Sequence, residues 1–190
     1  MAKEIVQLQN MLGTSFDLQC LPAGFHNTPL EIVPGLKKIL DERGADYDQI
    51  LIGYGDCGTG GGLDRLLEDY PNTQRLPGAH CYAFYAGLPN FDAMMDEELG
   101  TFFLTDYLVR HFDTLIVKGM GLDRFPHLRD SYFKHYTRLT YLAQTADASL
   151  MDKAQEAAKF LGLVFVPKFV GMGELSTFIA DMKPQPSQHA

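Results

Sequence analysis

Basic residues are scarce in this chain of 190 residues. Sixteen Lys and Arg stand against twenty-four Asp and Glu, a net charge of −8. That deficit disfavours a nucleic-acid groove or an anionic membrane surface, since both need clustered cations. Long apolar runs are missing too, and none nears the roughly 20 residues of a membrane span. The opening MAKEIVQLQNMLGTSF has no apolar core, which speaks against a secretory signal. Cysteine is confined to Cys20, Cys57 and Cys81, too few and too dispersed for a disulfide framework. The expectation is a soluble, cytoplasmic protein with reduced thiols. No internal repeat, CxxC or HxxxH spacing, GxSxG elbow or Gly-Lys-Ser/Thr ending occurs. Each absence removes a familiar route to a metal site, a serine hydrolase or a nucleotide-triphosphate loop.

What remains is an ordinary globular composition, 46% apolar and 21% charged, which excludes disorder as the main state. Strand and helix signals alternate along it. Residues 15–21 (SFDLQCL) read as a first strand. Residues 30–43 read as a helix, with Ile32, Val33, Leu36, Ile39 and Leu40 recurring at three and four and Pro34 in the first turn. Residues 49–54 (QILIGY) form an apolar run without alternation, as in a buried parallel strand. A glycine-dense turn and a short helix follow, then a strand at 73–79. Residues 81–87 and 91–99 read as helical. Later strands are expected at 100–104, 138–144 and 163–170, the last at a sheet edge because of Pro167. Between them lie an aromatic-rich helix at 125–136 and the clearest helix, 149–161, with Ser149 as N-cap and Gly162 as stop. The pattern predicts an α/β fold: a single three-layer domain over residues 1–182, its mainly parallel sheet flanked by helices, and a flexible tail at 183–190.

In such a sheet ligands bind beyond the carboxyl ends of the strands. The chemically unusual residues fall there. His26 follows the first expected strand, Cys57 the second, and His80 with Cys81 the third. Cys57 lies among six glycines, at 53, 55, 58, 60, 61 and 62. The adjacent helix start is expected to lower its pKa. Cys20, inside the first expected strand, reads as core. Two cysteines with one or two histidines suit zinc or ferrous iron, so Cys57, Cys81, His80 and His26 are the candidate metal ligands. Gly55, Gly58 and Gly60 could present backbone N–H groups to an anionic cofactor. Asp56 or Asp64 could accept a proton. Packing alone is the competing explanation for each of these residues, including the aromatics Phe125, Tyr132, Phe133, Tyr136 and Tyr141.

The segments LPAGFHNTPLEI, ILIGYGDCGTGGGLDRLL, LPGAHCYAFYAG, GTFFLTDYLV, HYTRLTYLAQT and FVGMGELSTFI occur in this order. In that order the chain resembles the bacterial and archaeal family known as domain of unknown function 1638, from about His26 to Ile179. His26, Cys57 and Cys81 fall on its His-Asn-x-Pro, Cys-Gly and Arg-x-His-Asp-Cys segments. Here His80 adjoins the cysteine instead of standing two before it, and a further Cys-containing strand of the family is missing at the start. The resemblance implies a cytoplasmic protein of one-carbon or methylamine metabolism, associated with corrinoid-dependent methyltransferases.

Three functions are therefore open. One is a metalloenzyme holding zinc or iron and acting on a small methylated amine or related nitrogen or one-carbon compound. Another is a non-catalytic accessory of a corrinoid protein or methyltransferase. The last is a metal-free enzyme with Cys57 as nucleophile and a nearby histidine as base. The exposed aromatics suggest a homodimer.

Overall fold

Apolar residues at 32, 36 and 40 line one face of a helix, and that stripe organises the first half of the molecule. A computed structural model describes residues 2–180, except for the side chains of His26 and Asn27. The expected tail at 183–190 lies outside the described residues. Those described gather into two compact units, residues 2–84 with 174–180, and residues 85–173.

The first unit contains α1 (Ala2–Leu12), two 3-10 turns (Ala23–Asn27 and Pro29–Glu31), α2 (Ile32–Arg43), β1 (Ile50–Ile52), α3 (Gly62–Leu67), β2 (Thr73–Arg75), the start of α4 (Cys81–Ala86) and α9 (Leu175–Ala180). Strands β1 and β2 pair in parallel, Ile50 opposite Thr73 through Ile52 opposite Arg75. Ile32, Leu36 and Leu40 of α2 close over Ile52 and over Leu63 and Leu66 of α3. Each fully buried side chain of this kind is worth roughly 1.5–3 kcal/mol. Pro34 lies in the first turn of α2, where its missing N–H costs little, as expected.

The second unit contains α5 (Leu88–Glu97), β3 (Thr101–Thr105), α6 (Asp106–Arg110), a π-helical turn (Asp113–Lys118), α7 (Leu128–Tyr132), β4 (Arg138–Ala143), α8 (Ala148–Leu161) and β5 (Val164–Phe169). Its sheet runs β3-β4-β5, parallel throughout. The central strand β4 is buried along nearly its whole length, so its sequence RLTYLA shows little alternation. Leu139 and Tyr141 pack with Leu150, Ala154, Ala157 and Leu161 of α8. Strand β5 lies at the edge, where Pro167 needs no outer partner.

Several expectations are corrected. Residues 15–21 form no strand and Cys20 is exposed, because this segment pairs with no neighbour in either sheet. The N-terminal residues, for which no element was expected, form α1 and bury Leu8. The strands divide into two small sheets instead of one. Helix α8 is capped by Asp147, whose carboxylate accepts from Ser149 N–H at 2.9 Å and Leu150 N–H at 3.3 Å, so Ser149 is helical instead of capping. The helix expected at 125–136 shrinks to α7. Its Phe133 is core, while Phe125, Tyr132 and Tyr136 remain exposed.

Candidate functional site

The loops leaving β1 and β2 are stitched to each other. Asp56 N–H donates to Gly78 O at 3.0 Å, and Cys57 N–H to Ala79 O at 2.8 Å. Gly55 is pressed against the second loop. A Cβ there would stand 3.0 Å from Gly78 O and 3.2 Å from the His80 amide nitrogen, so a larger residue would have to push the facing loop back. Cys57 has φ 48°, the one non-glycine residue in the left-handed region among the described residues. That conformation costs an L residue roughly 1–2 kcal/mol and persists only where its surroundings enforce it.

Asp56 supplies much of that enforcement. Its Oδ1 accepts from Thr59 Oγ1 and from Gly61 N–H, both at 2.7 Å, and its Oδ2 from Gly60 N–H at 3.1 Å. The Thr59 hydroxyl first, then the glycine amides, hold its carboxyl below the usual carboxylate range. Asp56 is thus a clasp for the turn and a weak proton acceptor. The Gly60 amide faces this carboxylate and is not free for an anion. Gly58, at φ 84°, has its Cβ position covered by Pro29 at 3.4 Å. Asp64 is clamped by Arg75, at 2.6 Å from Nε and 2.8 Å from Nη2. Arg75 also donates to Leu76 O at 2.8 Å and Gly78 O at 3.3 Å, bracing the loop that receives Asp56 and Cys57.

The result is a pair of half-buried thiols. The Cys81 thiol donates a hydrogen bond to the Cys57 sulfur, which also accepts from the backbone N–H groups of Cys81 and Gly55. The Cys81 thiol leads these donors. Against the opposing effect of burial they lower Cys57 from 9.0 to about 7. Cys81 moves the opposite way, its proton held by Cys57 and its own ionisation opposed by burial, so it rises well above the ordinary thiol range. The pair shares one proton, and Cys81 keeps it. The helix start beside the Cys57 sulfur is that of α4, with the Cys81 amide, whereas the sequence had pointed to α3.

Tyr54 lies alongside. Burial first, then the charges of Cys57, Cys20 and Cys81, raise its phenol to about 12. All three cysteines are therefore electrostatically close to one phenol. Tyr54 and Cys57 both pack on the α2–α3 core, as do Leu21 and Phe25 of the preceding segment. Phe25 covers Gly35, where a Cβ would stand 2.7 Å from its ring. The His-Asn-Thr-Pro segment thereby borders the cysteine turn through Pro29, while the His26 side chain lies outside the described residues.

Of the residues singled out in sequence, the fold brings Cys57 and Cys81 into contact, with Asp56 and Gly55 shaping their surroundings. His80 is exposed, its ring 6.2 Å from that of Tyr82. Among the described residues no three His, Cys, Asp or Glu side chains form a group that could hold a metal ion. Among the same residues no helix is long and apolar enough to cross a membrane. Sequence reasoning missed the bracing role of Arg75, and it had assigned the Gly55 amide to a cofactor, whereas here it serves the Cys57 sulfur. Nothing in the local sequence marks a guanidinium that reaches its own following loop.

The family described as protein of unknown function (DUF1638) matches residues 20–179, and the chain belongs to it. No curated protein and no solved structure matches the chain.

Proposed function

We propose that this family member is a thiol-dependent enzyme, with Cys57 as nucleophile and Cys81 as its proton-holding partner. One observation supports this above the others. The Cys57 sulfur accepts from a thiol and two backbone N–H groups while its backbone is held in a left-handed conformation. Hydrogen bonds of that kind stabilise a thiolate, the reactive form of cysteine. The thiolate attacks an electrophilic carbon of a small substrate. The bond to the leaving group breaks, and the Cys81 thiol supplies a proton to it. The substrate class to screen first is the methylated amine or related one-carbon compound that the family resemblance implies.

A second reading is favoured by one further arrangement. Cys20, Cys57 and Cys81 all act on Tyr54, and Pro29, three residues after His26, covers Gly58. The two paired sulfurs fit half the donor set of zinc or ferrous iron, with His26 as a further source. Such a metal would supply Lewis acidity.

Thiol kinetics and elemental analysis of untagged protein separate the readings. A thiol half-ionised near neutral pH at Cys57, with substrate turnover lost in Cys57→Ser, supports the nucleophile. Stoichiometric zinc or iron, lost in both Cys57→Ser and Cys81→Ser, supports the metal centre. Metal without turnover, together with retention of a corrinoid protein, supports the accessory role.

A further inference from the structure

We infer that Cys57 and Cys81 form a reversible dithiol–disulfide couple that is oxidised by a hydroperoxide, with Cys81 as the resolving thiol. This inference rests on the proposed nucleophilic role of Cys57 and adds a modification of the same site. The two sulfurs are already in hydrogen-bond contact, brought there by the loops after β1 and β2. Both loops are pinned, by Cys57 N–H to Ala79 O and by Asp56 N–H to Gly78 O, so the contact needs no folding event to form. Cys57 is only half-buried, and no disulfide joins it to any residue. Two neighbouring thiols, one partly exposed and one able to resolve it, are the arrangement that closes a reversible disulfide.

The Cys57 thiolate attacks the terminal oxygen of the hydroperoxide. A sulfur–oxygen bond forms, the oxygen–oxygen bond breaks, and the departing alkoxide or hydroxide is protonated by solvent. Cys57 is then a sulfenic acid. The Cys81 sulfur attacks it, giving up its proton. The sulfur–sulfur bond forms, the sulfur–oxygen bond breaks, and the leaving hydroxide takes that proton as water. Two thiols and one peroxide give one disulfide, one alcohol or water, and one further water. The two electrons come from sulfur.

The test uses the full reduced chain, treated with one equivalent of hydrogen peroxide at neutral pH and then alkylated and mapped by mass spectrometry. The expected result is loss of two hydrogen masses, a linked Cys57–Cys81 peptide pair, and full reversal by dithiothreitol. The same link is expected in Cys20→Ser. In Cys81→Ser a dimedone-reactive sulfenic acid should accumulate at Cys57, whereas wild type should trap little. A wild-type product that is sulfinic acid at Cys57, unoxidised Cys57, or a disulfide made with Cys20 would overturn the inference. Alkylation of Cys57 in the untreated protein keeps the two proposals apart. Fast alkylation with no Cys57–Cys81 link removes this inference alone. Slow alkylation removes the nucleophile reading, whatever peroxide does.

Discussion

Replacing Cys81 by alanine should slow Cys57 at neutral pH and quicken it in alkali. Cys57 titrates at about 7, against an ordinary value of 9.0. Near pH 7 about half of it is thiolate, whereas an unperturbed thiol would be about one-hundredth ionised, a ratio of roughly 50. A less basic thiolate is also less nucleophilic. With a Brønsted coefficient of about 0.4–0.5, two units of basicity lower the reactivity of each thiolate by about 6–10-fold. The net advantage of the wild type near pH 7 is therefore about 5–8-fold. The Cys81 thiol is the largest of the stabilising donors, and the two backbone N–H groups survive its removal. Cys81→Ala should thus lose most, but not all, of that advantage. Near pH 10 both proteins are ionised at Cys57, and the variant should become the faster by up to about 6–10-fold. The assay is the initial rate with excess aromatic disulfide, in a Cys20→Ser background, across pH. A crossing of the two profiles is the signature. Parallel profiles, or an unchanged midpoint in the variant, would refute the assignment of Cys81 as the donor that tunes Cys57. A merely loosened structure would shift rates in one direction at every pH.

Asp56→Ala should unfasten the glycine turn at about 1 kcal/mol, the usual cost of losing a capping carboxylate, and should expose the Gly60 and Gly61 amides to hydrogen exchange. The Asp56 carboxyl titrates lower in the folded chain than in the unfolded one. Its contribution is therefore complete above the ordinary carboxylate pKa and fades as pH falls through the depressed folded value, so amide protection at Gly60 and Gly61 should fall in acid in the wild type alone. Gly55→Ala should force the two loops apart by clashing with Gly78 O, raising the Cys57 midpoint, and an unaltered reactivity profile would count against the loop geometry. In the second unit, buried Asp106 accepts from Tyr141 Oη at 2.7 Å, Gln144 N–H at 3.0 Å and Thr145 N–H at 3.1 Å. Asp106→Ala strands several of these donors and should cost about 3 kcal/mol or more in denaturant unfolding, clearly above the roughly 1–2 kcal/mol expected for Tyr141→Phe. Equal costs would show that Asp106 is not the hub of that network.

Local sequence determined most elements and little of their assembly. The apolar spacing of α2, the apolar run of β1, Gly162 after α8 and Pro167 on an edge strand are all consequences of neighbours within a few residues, and each is readable as such. The parallel α/β class follows from their alternation, and the density of glycine around Cys57 marked the turn that matters. Partners distant along the chain were not readable. The strand assigned to residues 15–21 had suitable residues but found no strand to pair with. Whether five strands make one sheet or two depends on pairings that no window of sequence contains. The site shows the same division. That Cys57 and Cys81 would follow parallel strands was legible, because topology sends such residues to one edge. That their sulfurs share a proton, with Asp56 clasping the turn and Arg75 bracing the facing loop, was decided by folding alone. A pKa shift arises from donors and charges a few ångströms away in space, and the largest of them for Cys57, the Cys81 thiol, comes from the loop after the other strand.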